Sequence, residues 1–137
     1  MGVKMSAEYV GELHCVLHHG PSGASFETDA PVDNAGRGEQ FSPTDLVGAA
    51  LLSCALTTMA IWAAKEDIPF GPASGKVEKE IAPGMPRRIG RLTVQITMPT
   101  GLNAAQRARL EEIGRTCPVA LTLSKDVDLP LEFVYPD

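Results

Sequence analysis

The stretch Ser42 to Ile68, SPTDLVGAALLSCALTTMAIWAAKEDI, constrains the fold more than any other part of the chain. It is the longest uninterrupted apolar pattern and carries a cysteine at its centre. Ser42 is a helix N-cap residue type, and Pro43 fills the first helical position, where a missing N–H costs nothing. Asp45 stands three residues after the cap as a variant capping box. Little polarity follows on any face until Lys65, Glu66 and Asp67 restore charge and Pro69 stops the helix. A helix apolar nearly all round is a buried helix. Gly48, Ala49, Ala50, Ser53, Ala55 and Ala60 let backbones approach closely, so another helix, or the same helix of a second subunit, is expected against it. The same Ala, Ser and Thr content argues against a membrane span, which takes about 20 strongly apolar residues.

Cys54, at the middle of this helix, reads first as a small hydrophobe in a core. A mid-helix thiol receives none of the field of a helix N-terminus. The whole chain, 137 residues with 44% hydrophobic and 21% charged, fits one domain over residues 1–137. A formal charge of −5 argues against a nucleic-acid footprint, which needs a basic face. The N-terminus lacks the apolar run of a secretory signal, which implies a cytoplasmic and reducing setting. Three cysteines there are inert thiols, metal ligands or redox groups rather than structural disulfides.

In chain order, Tyr9 to Leu17 alternates as a strand with Leu13, Cys15 and Leu17 inward. Gly20-Pro21-Ser22-Gly23 turns it into a second strand ending at Asp29. Cys15 is expected in the core. His14, His18 and His19 read as hairpin or solvent histidines, since adjacent strand residues face opposite ways and no second ligand cluster exists. Ala30 to Phe41 is a loop leading into the long helix, with Arg37 and Glu39 its notable charges. Gly75–Ile81 and Arg91–Met98 read as an antiparallel pair. Asn103 to Gly114 reads as a short amphipathic helix with Leu110 and Ile113 inward. Cys117 then caps a further short helix begun by Pro118, where the helix dipole is expected to favour its thiolate. Leu131 to Tyr135 is a last strand. This order suggests an α+β domain with helices on one side of antiparallel sheet.

The run SPTDLVGAALLSC, followed after 62 residues by CPVALTL, resembles the OsmC/Ohr family of thiol-dependent peroxidases, and the likeness extends from about Gly11 to the final strand. The resemblance implies an intertwined homodimer with antiparallel sheets around long central helices, and an active site where subunits meet. It implies that Cys54 attacks an organic hydroperoxide and becomes a sulfenic acid. Cys117 then resolves it as a disulfide, and a dithiol reductant restores both thiols. No cofactor and no metal is implied; a zinc site from Cys54, Cys117 and a histidine lacks a close ligand pair. Peroxidases of the family place a glutamate ten residues before the attacking cysteine, paired with an arginine of the N-terminal strands. Here that position is Thr44, with Asp45 one place later, about 100° round the helix. Arg37 is the only arginine before Cys54, so Arg37, with Glu39 close by, is the candidate activator. The alternative is a non-catalytic dimer that binds an apolar small molecule at the subunit interface, with no nucleic-acid or membrane partner in either case.

Overall fold

The long helix is present as α1, Pro43–Lys65, in a computed structural model that describes residues 1–137. Its start is the reciprocal cap that the sequence signals. Ser42 Oγ accepts the Asp45 N–H at 3.1 Å, and the Asp45 carboxylate accepts the Ser42 N–H at 2.9 Å. Its end comes before Pro69. Asp67 turns left-handed at φ 55°, and the Ile68 N–H reaches back 2.9 Å to the Ala63 carbonyl, which is the long bond of a Schellman stop. The chain divides into two compact units, Met1–Val47 and Gly48–Asp137, and α1 begins in the first and continues in the second.

The first unit is a three-stranded antiparallel sheet in the order β1 (Met5–Tyr9), β2 (His14–His19), β3 (Ser25–Asp29). The strand expected from Tyr9 to Leu17 is therefore two strands with a turn between them. Gly11, Glu12 and Leu13 take φ of 95°, 53° and 59°, and the His14 N–H closes the turn on the Gly11 carbonyl at 3.1 Å. Gly11 is the one turn signal in this stretch, and left-handed glutamate and leucine are uncommon, so alternation masked it. Cys15 is half-buried on β2, between Tyr9 and Thr28, rather than in the core. After β3 the chain makes a 3-10 turn at Val32–Asn34 and a tight approach at Gly36. A Cβ on Gly36 would lie 1.8 Å from the Ala30 carbonyl oxygen, so only glycine fits.

In the second unit β4 (Ser74–Ile81) and β5 (Ile89–Thr97) pair antiparallel with Val77 opposite Val94. The last strand, β6 (Leu131–Val134), runs parallel to β5, so the sheet is mixed and not wholly antiparallel. The connection from β5 to β6 carries both remaining helices, α2 (Ala104–Arg115) and α3 (Pro118–Thr122), and a helical crossover is what a parallel pair requires. Asn103 and Gln106 cap α2 reciprocally. The core joins Leu51, Ala55, Met59 and Ala63 of α1 to Leu92, Val94 and Ile96 of β5 and Leu110 of α2, all buried. Gly48 lets α1 approach the sheet: a Cβ there would lie 3.4 Å from a Leu92 methyl and 3.5 Å from a Val77 methyl.

One expectation about α1 changes. Its most apolar window has a mean hydropathy of 1.9, enough by length and composition alone to cross a membrane, yet only 28% of that window is buried within the chain. Ala50, Ser53, Thr57, Ile61 and Ala64 are exposed. The helix is apolar nearly all round, but one chain covers only one side of it.

Candidate functional site

Cys54 and Cys117, far apart in sequence, are neighbours in the second unit, close enough for the Cys54 sulfur to raise the Cys117 pKa. Cys54 projects from the middle of α1 and is half-buried; its sulfur lies 3.7 Å from the Thr58 hydroxyl one turn on. Cys117 is the N-cap of α3 and is fully buried. Burial pushes its thiol up from the ordinary value, the Cys54 sulfur pushes it further, and the amides of Ala120 and Val119 pull it back only in part. The expectation that the helix start would favour a Cys117 thiolate is thus overturned. Two amides of a helix with one turn do not offset loss of water around the sulfur. A thiol that keeps its proton beside a second sulfur is a donor toward any charge formed on that sulfur.

An apolar recess of about 200 Å³ opens in the same unit, walled by Leu51, Ala55, Val94, Ala120, Leu129 and Leu131, with Arg115 the charged residue on its lining. Ala55 follows Cys54 in the chain, and Ala120 supplies one of the amides that faces the Cys117 sulfur.

Arg37 and Glu39 belong to a different constellation, in the first unit, centred on Asp29. The Asp29 side chain is 1% exposed. Its Oδ1 accepts from His14 Nδ1 at 2.6 Å, and its Oδ2 accepts the backbone N–H groups of Glu39 and Gln40, both at 3.1 Å. Arg37 lies 3.7 Å from Asp29 Oδ1 and 3.2 Å from Glu12. His14 Nε2 meets Glu27 at 2.7 Å, so both ring nitrogens face carboxylates. These carboxylates raise the His14 pKa above its usual value, with Asp29 the larger cause, while the His14 hydrogen bond lowers that of Asp29.

His14 is therefore a hairpin histidine held between two carboxylates, whereas His18 and His19 make ordinary hairpin bonds to Glu8 and Ser22. The structure brings Cys54 to Cys117, and Arg37 and Glu39 to Asp29. Sequence reasoning missed Asp29 and His14. The usable signal was register: a hairpin turning at Gly20–Gly23 puts His14 opposite Asp29. No group of three or more His, Cys, Asp or Glu side chains is arranged to hold a metal ion.

The family model described as OsmC-like protein matches residues 36–132. The chain belongs to the OsmC-like family. This OsmC-like chain is 34% identical to a Psychrobacter arcticus protein described as an osmotic stress induced and detoxification response protein. The alignment covers 97% of each chain with a TM-score of 0.89. It shares its fold, at 18% identity and a TM-score of 0.79, with a Legionella pneumophila organic hydroperoxide resistance protein, over 98% of this chain and 97% of that one. A Vibrio cholerae organic hydroperoxide resistance protein with captopril in one of its active sites aligns over 97% of this chain and 91% of that one, at 13% identity and a TM-score of 0.77. No curated protein sequence matches the OsmC-like chain.

Proposed function

We propose that this OsmC-like protein is a thiol-dependent peroxidase that reduces organic hydroperoxides, with Cys54 as nucleophile and Cys117 as resolving thiol. The observation that carries the proposal is the pair of free thiols made neighbours across 62 intervening residues, in a unit that also holds an apolar recess lined by Ala55 and Ala120. The Cys54 thiolate attacks one peroxide oxygen, the O–O bond breaks, and the alcohol leaves with a proton. Cys54 is left as a sulfenic acid. The Cys117 sulfur then attacks the Cys54 sulfur, a disulfide forms, and the sulfenic oxygen leaves as water with the Cys117 proton. A dithiol reductant exchanges with that disulfide and returns both thiols.

Arg37, with Glu39 beside it in the chain, is proposed as the cationic activator of Cys54. The reading includes a cytoplasmic setting, where thiols are kept reduced, and a homodimer in which a second copy covers the outward face of α1. The neighbours named for organic hydroperoxide resistance support the choice of substrate class. The test is peroxide consumption with a dithiol present. Cys54→Ser is expected to abolish it, and Cys117→Ser to allow a single turnover that leaves a dimedone-reactive sulfenic acid. Full turnover by Cys54→Ser rejects the proposal.

The recess also supports a second reading, a dimer that holds an apolar small molecule without turnover. Peroxide titration that yields no Cys54–Cys117 disulfide selects it.

A further inference from the structure

We infer that Asp29 is the positioning residue of the loop 36–41, a buried carboxylate that fixes Arg37 and the Glu39–Gln40 backbone in one arrangement. The inference rests on the reading that Arg37 serves Cys54, and extends it to the group that sets where the guanidinium lies. Asp29 ends β3, and most of its side-chain partners lie outside the sheet. Of its four neighbours, three come from the loop: Arg37 at 3.7 Å and the N–H groups of Glu39 and Gln40 at 3.1 Å each. The fourth, His14 Nδ1 at 2.6 Å, is a cross-strand partner.

Every neighbour is a donor, and only a carboxylate offers two acceptor oxygens to receive them. Asparagine would turn its NH₂ either on the two amides or on His14 and Arg37, and glutamate adds a methylene where 1% of the side chain reaches water. Burying a carboxylate is costly unless it is fully hydrogen-bonded and charge-compensated. His14 supplies the compensation when charged: its second nitrogen meets Glu27 at 2.7 Å, and the two carboxylates on its ring nitrogens favour the doubly protonated ring. Arg37 is then steered from two sides, by Asp29 and by Glu12 at 3.2 Å. The backbone on either side of Arg37 is held by the Gly36 N–H on the Pro31 carbonyl at 2.9 Å and the Gly38 N–H on the Ala30 carbonyl at 3.2 Å, and Asp29 adds the anion that directs the long, flexible arginine side chain.

The experiment uses the full chain with Asp29→Asn, Arg37→Met and the double variant. Amide exchange at Glu39 and Gln40 and the rate of Cys54 alkylation by iodoacetamide are read site by site by mass spectrometry. In Asp29→Asn, exchange at Glu39 and Gln40 is expected to rise about tenfold or more, the scale of a lost hydrogen bond to a charged group, while β4 and β5 stay protected. Cys54 alkylation is expected to fall as it does in Arg37→Met, and the double variant to be no slower than Arg37→Met alone. Unchanged exchange at both amides overturns the inference. So does a loosened loop that leaves Cys54 alkylation at the wild-type rate while Arg37→Met slows it. If Arg37→Met leaves alkylation unchanged, the activator reading fails instead, and exchange alone decides: lost protection upholds Asp29 as the loop's positioning residue, and retained protection overturns it. Should Asp29→Asn not fold, the wild-type acid titration serves. The Glu39 and Gln40 amide proton shifts must follow the Asp29 carboxyl carbon, and independent titration overturns the inference.

Discussion

At single residues, His14 and Asp29 bound a pH window from opposite sides. The His14 pKa is raised above 6.5, so its contribution to stability is complete below that value and disappears as pH rises through the raised one. The Asp29 pKa is lowered from 3.8, so its contribution is complete above that value and is lost as pH falls through the depressed one. The pair therefore holds the first unit best between pH 3.8 and 6.5, and its contribution falls away beyond those limits toward the depressed Asp29 value and the raised His14 value. Comparing thermal midpoints of wild type and His14→Gln across pH should show a gap that is open in mildly acid solution and closes in alkali; a gap that widens with alkali contradicts the pairing. Gly36 sets a second residue-scale expectation. A methyl group 1.8 Å from the Ala30 carbonyl oxygen meets backbone, which cannot rotate away. Gly36→Ala should therefore displace the loop and remove amide protection at Glu39 and Gln40 while α2 stays protected, measurable by hydrogen exchange.

Among the elements, helices were legible from a cap at α1 and from apolar spacing at α2. Ser42 and Asp45 mark the start of α1 and carry the reciprocal bonds those residue types suggest, whereas the α2 cap of Asn103 and Gln106 appears only in the structure. Ser42→Ala should lower stability by about 1 kcal/mol, the usual worth of an N-cap. Met59→Ala, at a fully buried position of the same helix, should cost about 2–5 kcal/mol through lost burial and the cavity left. Urea denaturation checks both, and the ratio between them tests whether α1 is held by packing more than by its cap. Strands β4 and β5 were legible from alternation, because one face is buried and the other wet. The turn between β1 and β2 was not, since Glu12 and Leu13 adopt left-handed backbone that their side chains do not advertise. Nor was the parallel pairing of β6, which depends on where α2 and α3 carry the chain. The two thiols were legible as a motif, but the burial that keeps Cys117 protonated is tertiary. Asp29, an ordinary strand-end residue in sequence, becomes notable only when its four donors converge.

For the whole molecule, the outward side of α1 is the feature with the largest consequence. Ala50, Ser53, Thr57, Ile61 and Ala64 follow one another at steps of three and four residues, so they form a single stripe along the helix, and all are exposed in one chain. Small residues in such a stripe let a second helix approach at short interaxial distance, and Ile61 and Trp62, 49% and 39% exposed, add apolar area at its C-terminal end. If the same stripe of a second copy covers it, a charge at its midpoint is buried without a partner and opposes association. Thr57→Lys should accordingly shift sedimentation from dimer to monomer. The second unit should keep its own fold, because Thr57 contributes nothing to the buried core of Leu51, Ala55, Met59 and Ala63. Near-ultraviolet dichroism of Trp62 reports local packing independently of mass. A Thr57→Lys protein that stays dimeric at micromolar concentration would move the subunit contact off this stripe, and a protein that unfolds outright would mean that folding and association are one event.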